Sequence, residues 1–158
     1  TKEDLPTGGK VFVSFELFEH LHHPEQFLLK VIELMSAGDM LLFTTLSGTG
    51  VDIQVLWEES KSISPPHHLN FLNPHSIEIL LNRCGFDSIT VTTPGKLDID
   101  ILCNNYKFIQ DRFWKTLIKR ASDDTKERIQ ESVIENKCSS HMMVCCKKPL
   151  SNNTELED

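Results

Sequence analysis

The sequence predicts an α/β fold, and three observations carry that expectation. Short β-branched and aromatic runs at 11–15, 40–46 and 86–93 are too brief for helices and are bounded by turn residues. Between them stand segments whose apolar residues recur at helical spacing. Pro and Gly fall at the junctions rather than inside the runs. Read in order, the chain goes β-α-β-α-β-α-β, the alternation of the α/β class.

Thr1 to Lys10 is polar and carries Pro6, Gly8 and Gly9, so it reads as a loop feeding the first strand. Val11, Phe12, Val13 and Phe15 read as a strand buried on both faces. Pro24 suits the first turn of a helix, where its missing N–H is not needed. Phe27, Leu28, Val31, Ile32 and Met35 then mark one apolar helix face, and Gly38 supplies a left-handed stop. Met40 to Leu46 is a second strand. Strand, helix, strand in this span is a βαβ unit, which implies a parallel pair with a right-handed crossover.

Beyond Leu46, Gly48 and Gly50 loosen the chain, Val51 to Glu59 suits a short helix, and Ser64-Pro65-Pro66 blocks regular structure. Asn73 is placed to cap a helix beginning at Pro74, with Ile77, Leu80 and Leu81 on its apolar face and its end near Gly85. Phe86 to Thr93 alternates like a third strand. Leu97 to Ala121 and Thr125 to Asn136 are charged segments with helical apolar spacing, in which Phe108, Phe113 and Trp114 read as a core face. Ser140 to Cys146 is a final strand, with Cys145 and Cys146 as packing rather than a redox pair. Ser151 to Asp158 is acidic and lacks aromatics, which predicts a disordered tail. Residues 1–150 read as one domain.

At 158 residues such a domain buries about two-thirds of its unfolded surface and needs no staples. A formal charge of −7 argues against general binding to nucleic acid or to an anionic membrane, since phosphate contacts need a basic face. Five cysteines, an odd number without C-x-x-C spacing, fit buried thiols in a reducing cytoplasm better than disulfides or structural zinc. No apolar run approaches the length of a membrane span and no signal-like start is present, so a soluble cytoplasmic protein is expected. Thr1 is not an initiator methionine, which suggests that chain is missing upstream.

The chemistry concentrates in Val11 to Pro24, VFVSFELFEHLHHP, where two carboxylates and three histidines follow the first strand. In open α/β sheets, ligands bind beyond the carboxyl ends of strands, which puts Glu16, Glu19 and His20 where a site is normally built. His22, His23 and His67 read as solvated loop residues. The histidines lack H-x-x-x-H spacing or a nearby thiol pair, so no metal site is expected.

VFVSFELFEHLHHPEQFLLKVIELMSAGDMLLFTT resembles class I S-adenosylmethionine-dependent methyltransferases between their fourth and fifth strands. PPHHLNFLNPHSIEILLNRCGF is similar to the segment after the fifth strand, and TPGKLDIDIL to the end of the sixth. SSHMMVCCKKP is similar to the antiparallel seventh strand of small-molecule members. The family's glycine-rich loop and the acidic residue ending its second strand, which hold the cofactor, have no counterpart here. The resemblance therefore implies the C-terminal half of a Rossmann-like methyltransferase fold: three parallel strands plus one antiparallel C-terminal strand, flanked by helices. It implies S-adenosylmethionine as cofactor of the complete domain and a small-molecule acceptor. Phe15 and Glu16 match cofactor-lining positions, Glu19 and His20 match a pair at the substrate mouth, and His68 matches a position over the substrate. With strands one to three absent, the first strand here becomes an apolar edge, which predicts a homodimer or larger assembly through it.

Overall fold

The computed structural model of the chain describes Leu5 and residues 7–150, so the tail expected at 151–158 lies outside the described residues. Four strands, β1 (Val11–Phe15), β2 (Met40–Leu46), β3 (Asp87–Thr92) and β4 (His141–Lys147), form one sheet in the order β1-β2-β4-β3. β1 and β2 run parallel, and β4 is antiparallel to both β2 and β3. Three strands thus point the same way, with the last strand inserted between the second and third.

The crossover from β1 to β2 is α1 (Pro24–Leu34), which starts on Pro24 in its first turn. Gly38, at φ +82°, turns the chain into β2. α3 (Pro74–Arg83) is capped as its sequence predicts. Asn73 accepts from the Ser76 N–H at 2.8 Å, and the Ser76 hydroxyl accepts from the Asn73 N–H at 2.8 Å. α1 and α3 lie on one face of the sheet. Leu28, Met35, Ile77 and Leu81 from that layer bury Leu41 and Phe43 of β2 together with Met142, Val144 and Cys146 of β4. Burial pushes the Cys146 thiol up to about 12, so it stays protonated and serves as packing.

A second apolar cluster joins α2 (Val51–Leu56), α4 (Asp98–Asn104), α5 (Arg112–Arg120) and α6 (Asp123–Glu135) through Leu56, Ile99, Leu102, Ile118 and Val133. The segment that reads as one helical stretch from Leu97 to Ala121 divides at Asn105–Asp111. A short 3₁₀ turn at Tyr106–Phe108 intervenes, and Asp111 caps α5 by accepting from Trp114 N–H at 2.8 Å. Trp114 packs against this cluster as expected, whereas Phe113 is exposed.

The two clusters are tied by a buried polar network. Asp98 Oδ1 accepts from the Ser140 N–H at 2.8 Å and the Ser140 hydroxyl at 3.1 Å, and Oδ2 accepts from Gln130 Nε2 at 2.7 Å. Gly50 sits directly on this junction, and a Cβ built there would lie 2.2 Å from Ser140 Cα.

One expectation fails. β1 is not buried on both faces: Val11, Val13 and Phe15 are 57%, 59% and 62% exposed. The register pairs Val13 with Leu42 and Phe15 with Thr44, so these residues share the face opposite α1 and α3. That face is open at β1, and Phe12 alone of the β1 apolar side chains turns toward the core.

Candidate functional site

The site is built where β1 and β2 end. β1 stops at Glu16, whose φ of +48° lies in the left-handed region that side-chain-bearing residues seldom adopt. Such strained backbone recurs at functional positions. The turn is held by Thr44. Its hydroxyl donates to Glu16 Oε1 at 2.6 Å, and the Glu16 N–H returns to Thr44 O at 3.2 Å. His141 Nδ1, at the start of β4, stands 3.7 Å from the same Oε1.

After Leu17 the chain makes one 3₁₀ turn, Phe18–His20. Phe18 anchors it: the ring is buried, stacked on Phe43 at 5.1 Å and edge-on to Phe27 at 6.5 Å. With Phe18 pinned, the next residue points inward, and Glu19 is only 2% exposed. A carboxylate so buried needs donors. Thr45 supplies one, its hydroxyl reaching Glu19 Oε2 at 3.0 Å.

His68 arrives from a loop that lies far away in sequence. Backbone bonds bring it in: Glu19 O accepts from the N–H groups of Leu69 at 2.7 Å and Asn70 at 3.1 Å. Asn70 Nδ2 adds bonds to Leu21 O at 2.5 Å and Phe18 O at 3.2 Å. The loop is thereby laced to the 3₁₀ turn, and the His20 and His68 rings meet edge to face at 4.8 Å. His20 Nδ1 is 2.8 Å from His67 O, and His68 Nδ1 is 2.7 Å from Ser62 O. A carbonyl can only accept, so each Nδ1 carries a hydrogen, and in the neutral ring Nε2 is the nitrogen with the lone pair.

Glu19, His20 and His68, proposed from sequence as one set, therefore stand together. Phe15 and Glu16 lie beside them at the end of β1, the ring exposed on the open sheet face and the carboxylate bound to Thr44. His20 is exposed and His68 half-buried. Three contributors escape the sequence reading: Thr44, Thr45 and Asn70. The polar pair Thr44-Thr45 closing an otherwise apolar strand is the signal that could have found the first two. A cleft of about 670 Å³ lined by Val51, Trp114, Ile129 and Val133 lies elsewhere, over the helical cluster, and includes none of these side chains.

The arrangement has chemistry in it: a buried carboxylate, two oriented imidazoles with free lone pairs, and an apolar ring with a second carboxylate alongside. Among the described residues no helix is long and apolar enough to cross a membrane. No family model matches the sequence, and no curated protein does. Solved structures do match by fold. Phosphoethanolamine N-methyltransferase 2 of Haemonchus contortus, with S-adenosyl-L-methionine bound, superposes with a TM-score of 0.54 at 16% identity, over 88% of this chain and 33% of that one. A methyltransferase of Archaeoglobus fulgidus gives 0.51 at 13% identity over 87% and 58%. One from Thermotoga maritima gives 0.54 at 11% identity over 94% and 61%. The chain spans between a third and three-fifths of the length of these proteins. Its strand order, its inserted antiparallel strand and these superpositions give it part of the class I S-adenosylmethionine-dependent methyltransferase fold.

Proposed function

We propose that this chain is the acceptor-side part of an S-adenosylmethionine-dependent methyltransferase acting on a small molecule. The observation that supports this most is the convergence of Glu19, His20 and His68 at the carboxyl ends of β1 and β2, where α/β sheets bind ligands. Phe15 and Glu16 suit the methionine side of the cofactor, since an exposed ring and a carboxylate complement a sulfonium. The cofactor, when bound, supplies an electrophilic methyl group. His20 Nε2 holds the lone pair that accepts the proton of a hydroxyl or amine acceptor, with His67 O fixing the tautomer. Glu19 and His68 orient that acceptor, and the 3₁₀ turn keeps their spacing.

The residues present fit one wall of such a site. This sequence has no glycine-rich loop to hold the rest of the cofactor. We therefore expect weak or undetectable binding of S-adenosylmethionine by the chain as given. Calorimetric titration tests this, and sub-micromolar affinity would overturn it. Reading the coding sequence upstream of Thr1 tests the parent activity: a strand followed by G-x-G-x-G supports the enzyme, and a start codon next to Thr1 favours a non-catalytic binding module. The five free cysteines suit a reducing cytoplasm.

A second reading has its own support. The open face carrying Val11, Val13 and Phe15 suits a non-catalytic assembly module that pairs with another subunit through β1.

A further inference from the structure

We propose that Glu19, His20 and His68 form a binding site for a divalent transition-metal ion. One ligand atom from each lies within 4.8 Å of the others. Two observations beyond proximity point to a cation. Both rings spend Nδ1 on a backbone carbonyl, His67 O for His20 and Ser62 O for His68, which leaves Nε2 as the free donor of an electron pair. Metal-ligating histidines are held in this way, the outer carbonyl fixing both tautomer and ring orientation. Glu19 is likewise oriented from behind by the Thr45 hydroxyl while its side chain stays 2% exposed. Three groups able to donate an electron pair thus converge, and Nδ1 is the ring nitrogen that each histidine commits to a hydrogen bond.

The donor set selects the ion class. Two imidazoles with one carboxylate suit Zn²⁺, Co²⁺, Fe²⁺ or Mn²⁺, whereas Mg²⁺ and Ca²⁺ favour all-oxygen shells. Ligands bound at about 2.0–2.2 Å lie roughly 3–3.5 Å from one another, so the three must close by about 1 Å or somewhat more. His20 is the exposed member of the three, so the adjustment falls to its ring, pivoting about the Nδ1 bond to His67 O. Three protein ligands leave at least one coordination position for water or for a ligand oxygen.

Sequence spacing hides this site because Glu19 and His20 adjoin on one turn while His68 comes from a separate loop. The bonds of Leu69 and Asn70 to Glu19 O are what unite them. The ion site stands on these side chains and does not depend on methyl transfer. Its consequence for that reaction rests on the reading above. An imidazole ligating through Nε2 cannot also take a proton there, so coordination rather than His20 would acidify a hydroxyl acceptor.

The test uses the tag-free chain titrated with Zn²⁺ by calorimetry and with Co²⁺ by visible absorption. The expected result is one ion per chain with micromolar affinity, weakened at least about tenfold by Glu19→Gln and by His68→Ala. His22→Ala with His23→Ala, a control for loop histidines outside the site, should leave affinity within about twofold. No binding of either ion overturns the proposal. So does binding that survives His68→Ala or is lost in the loop control. Should a variant fail to fold, pulsed EPR on the wild-type chain with Cu²⁺ decides: two coordinated imidazoles support the site, and one or none overturns it. Because no cofactor enters these measurements, their failure leaves the methyl-transfer reading standing, and the converse holds.

Discussion

The Thr45 hydroxyl on β2 donates to Glu19 Oε2 at 3.0 Å, and both side chains are buried. Thr45→Val keeps the shape and removes the donor. A buried carboxylate oxygen left without its partner costs about 1–3 kcal/mol. The urea midpoint should fall accordingly with an unchanged slope, and Thr45→Ser should restore most of it.

Gly50 allows the start of α2 to lie against β4. Its missing Cβ would meet Ser140 Cα at 2.2 Å and Ser140 N at 2.6 Å, both backbone atoms that cannot rotate away. Gly50→Ala should destabilise by about 1–3 kcal/mol, the usual range for overpacking. Thermal unfolding measures it, and an unchanged midpoint would show that this junction is loose.

Two buried aspartates should give opposite pH dependences. Burial pushes the Asp52 carboxyl above its ordinary value, and the Asp98 charge adds to this. Asp52 Oδ1 also lacks a hydrogen-bond partner. The folded state then holds the proton more tightly than the unfolded one, so stability falls as pH rises from the ordinary carboxylate range through the raised value. Asp52→Asn should flatten that slope and stabilise the chain at neutral pH. Asp39 is the reverse case. Burial works against its charge, but the N–H groups of Ser36 and Lys10 and the Lys10 ammonium at 3.2 Å outweigh it and hold the carboxyl below its usual range. Its contribution is present above the ordinary value and is lost as pH falls through the depressed one. Asp39→Asn should therefore destabilise at neutral pH and much less in acid, which denaturant titration at several pH values checks.

The face of β1 carrying Val13 and Phe15 should mediate association. Sedimentation at micromolar concentration is expected to give a dimer or larger particle, and Val13→Lys should shift it toward monomer. Since Val13 is exposed, the substitution should change stability by no more than about 0.5 kcal/mol. A monomeric wild-type chain would refute this.

What could be read from sequence is what local chemistry decides. Asn73, Pro74 and Ser76 specify the start of α3 by capping alone, and Pro24 with Gly38 brackets the crossover. The succession of strands along the chain follows from alternation, and the antiparallel course of β4 from family resemblance. The exposure of β1 was not legible, because Val-Phe-Val has the same composition whether or not something covers it. The meeting of Glu19 and His20 with His68 was legible through resemblance and not through spacing: residues 19 and 68 meet through main-chain bonds that leave no mark on spacing, and the donor to Glu19 is a threonine inside a strand.

The position of β4 carries a further consequence. Among the described residues β3 pairs only with β4, and β4 pairs with β2, so the last of the four strands is the one that joins the two parts of the sheet. During synthesis β1, α1 and β2 can assemble as soon as they emerge, but β3 has no neighbour until residues 141–147 leave the ribosome. Assembly of this sheet is thus timed by its final strand: premature termination before His141 would release a parallel pair and an orphaned strand, a product for the cell to degrade rather than a smaller working domain.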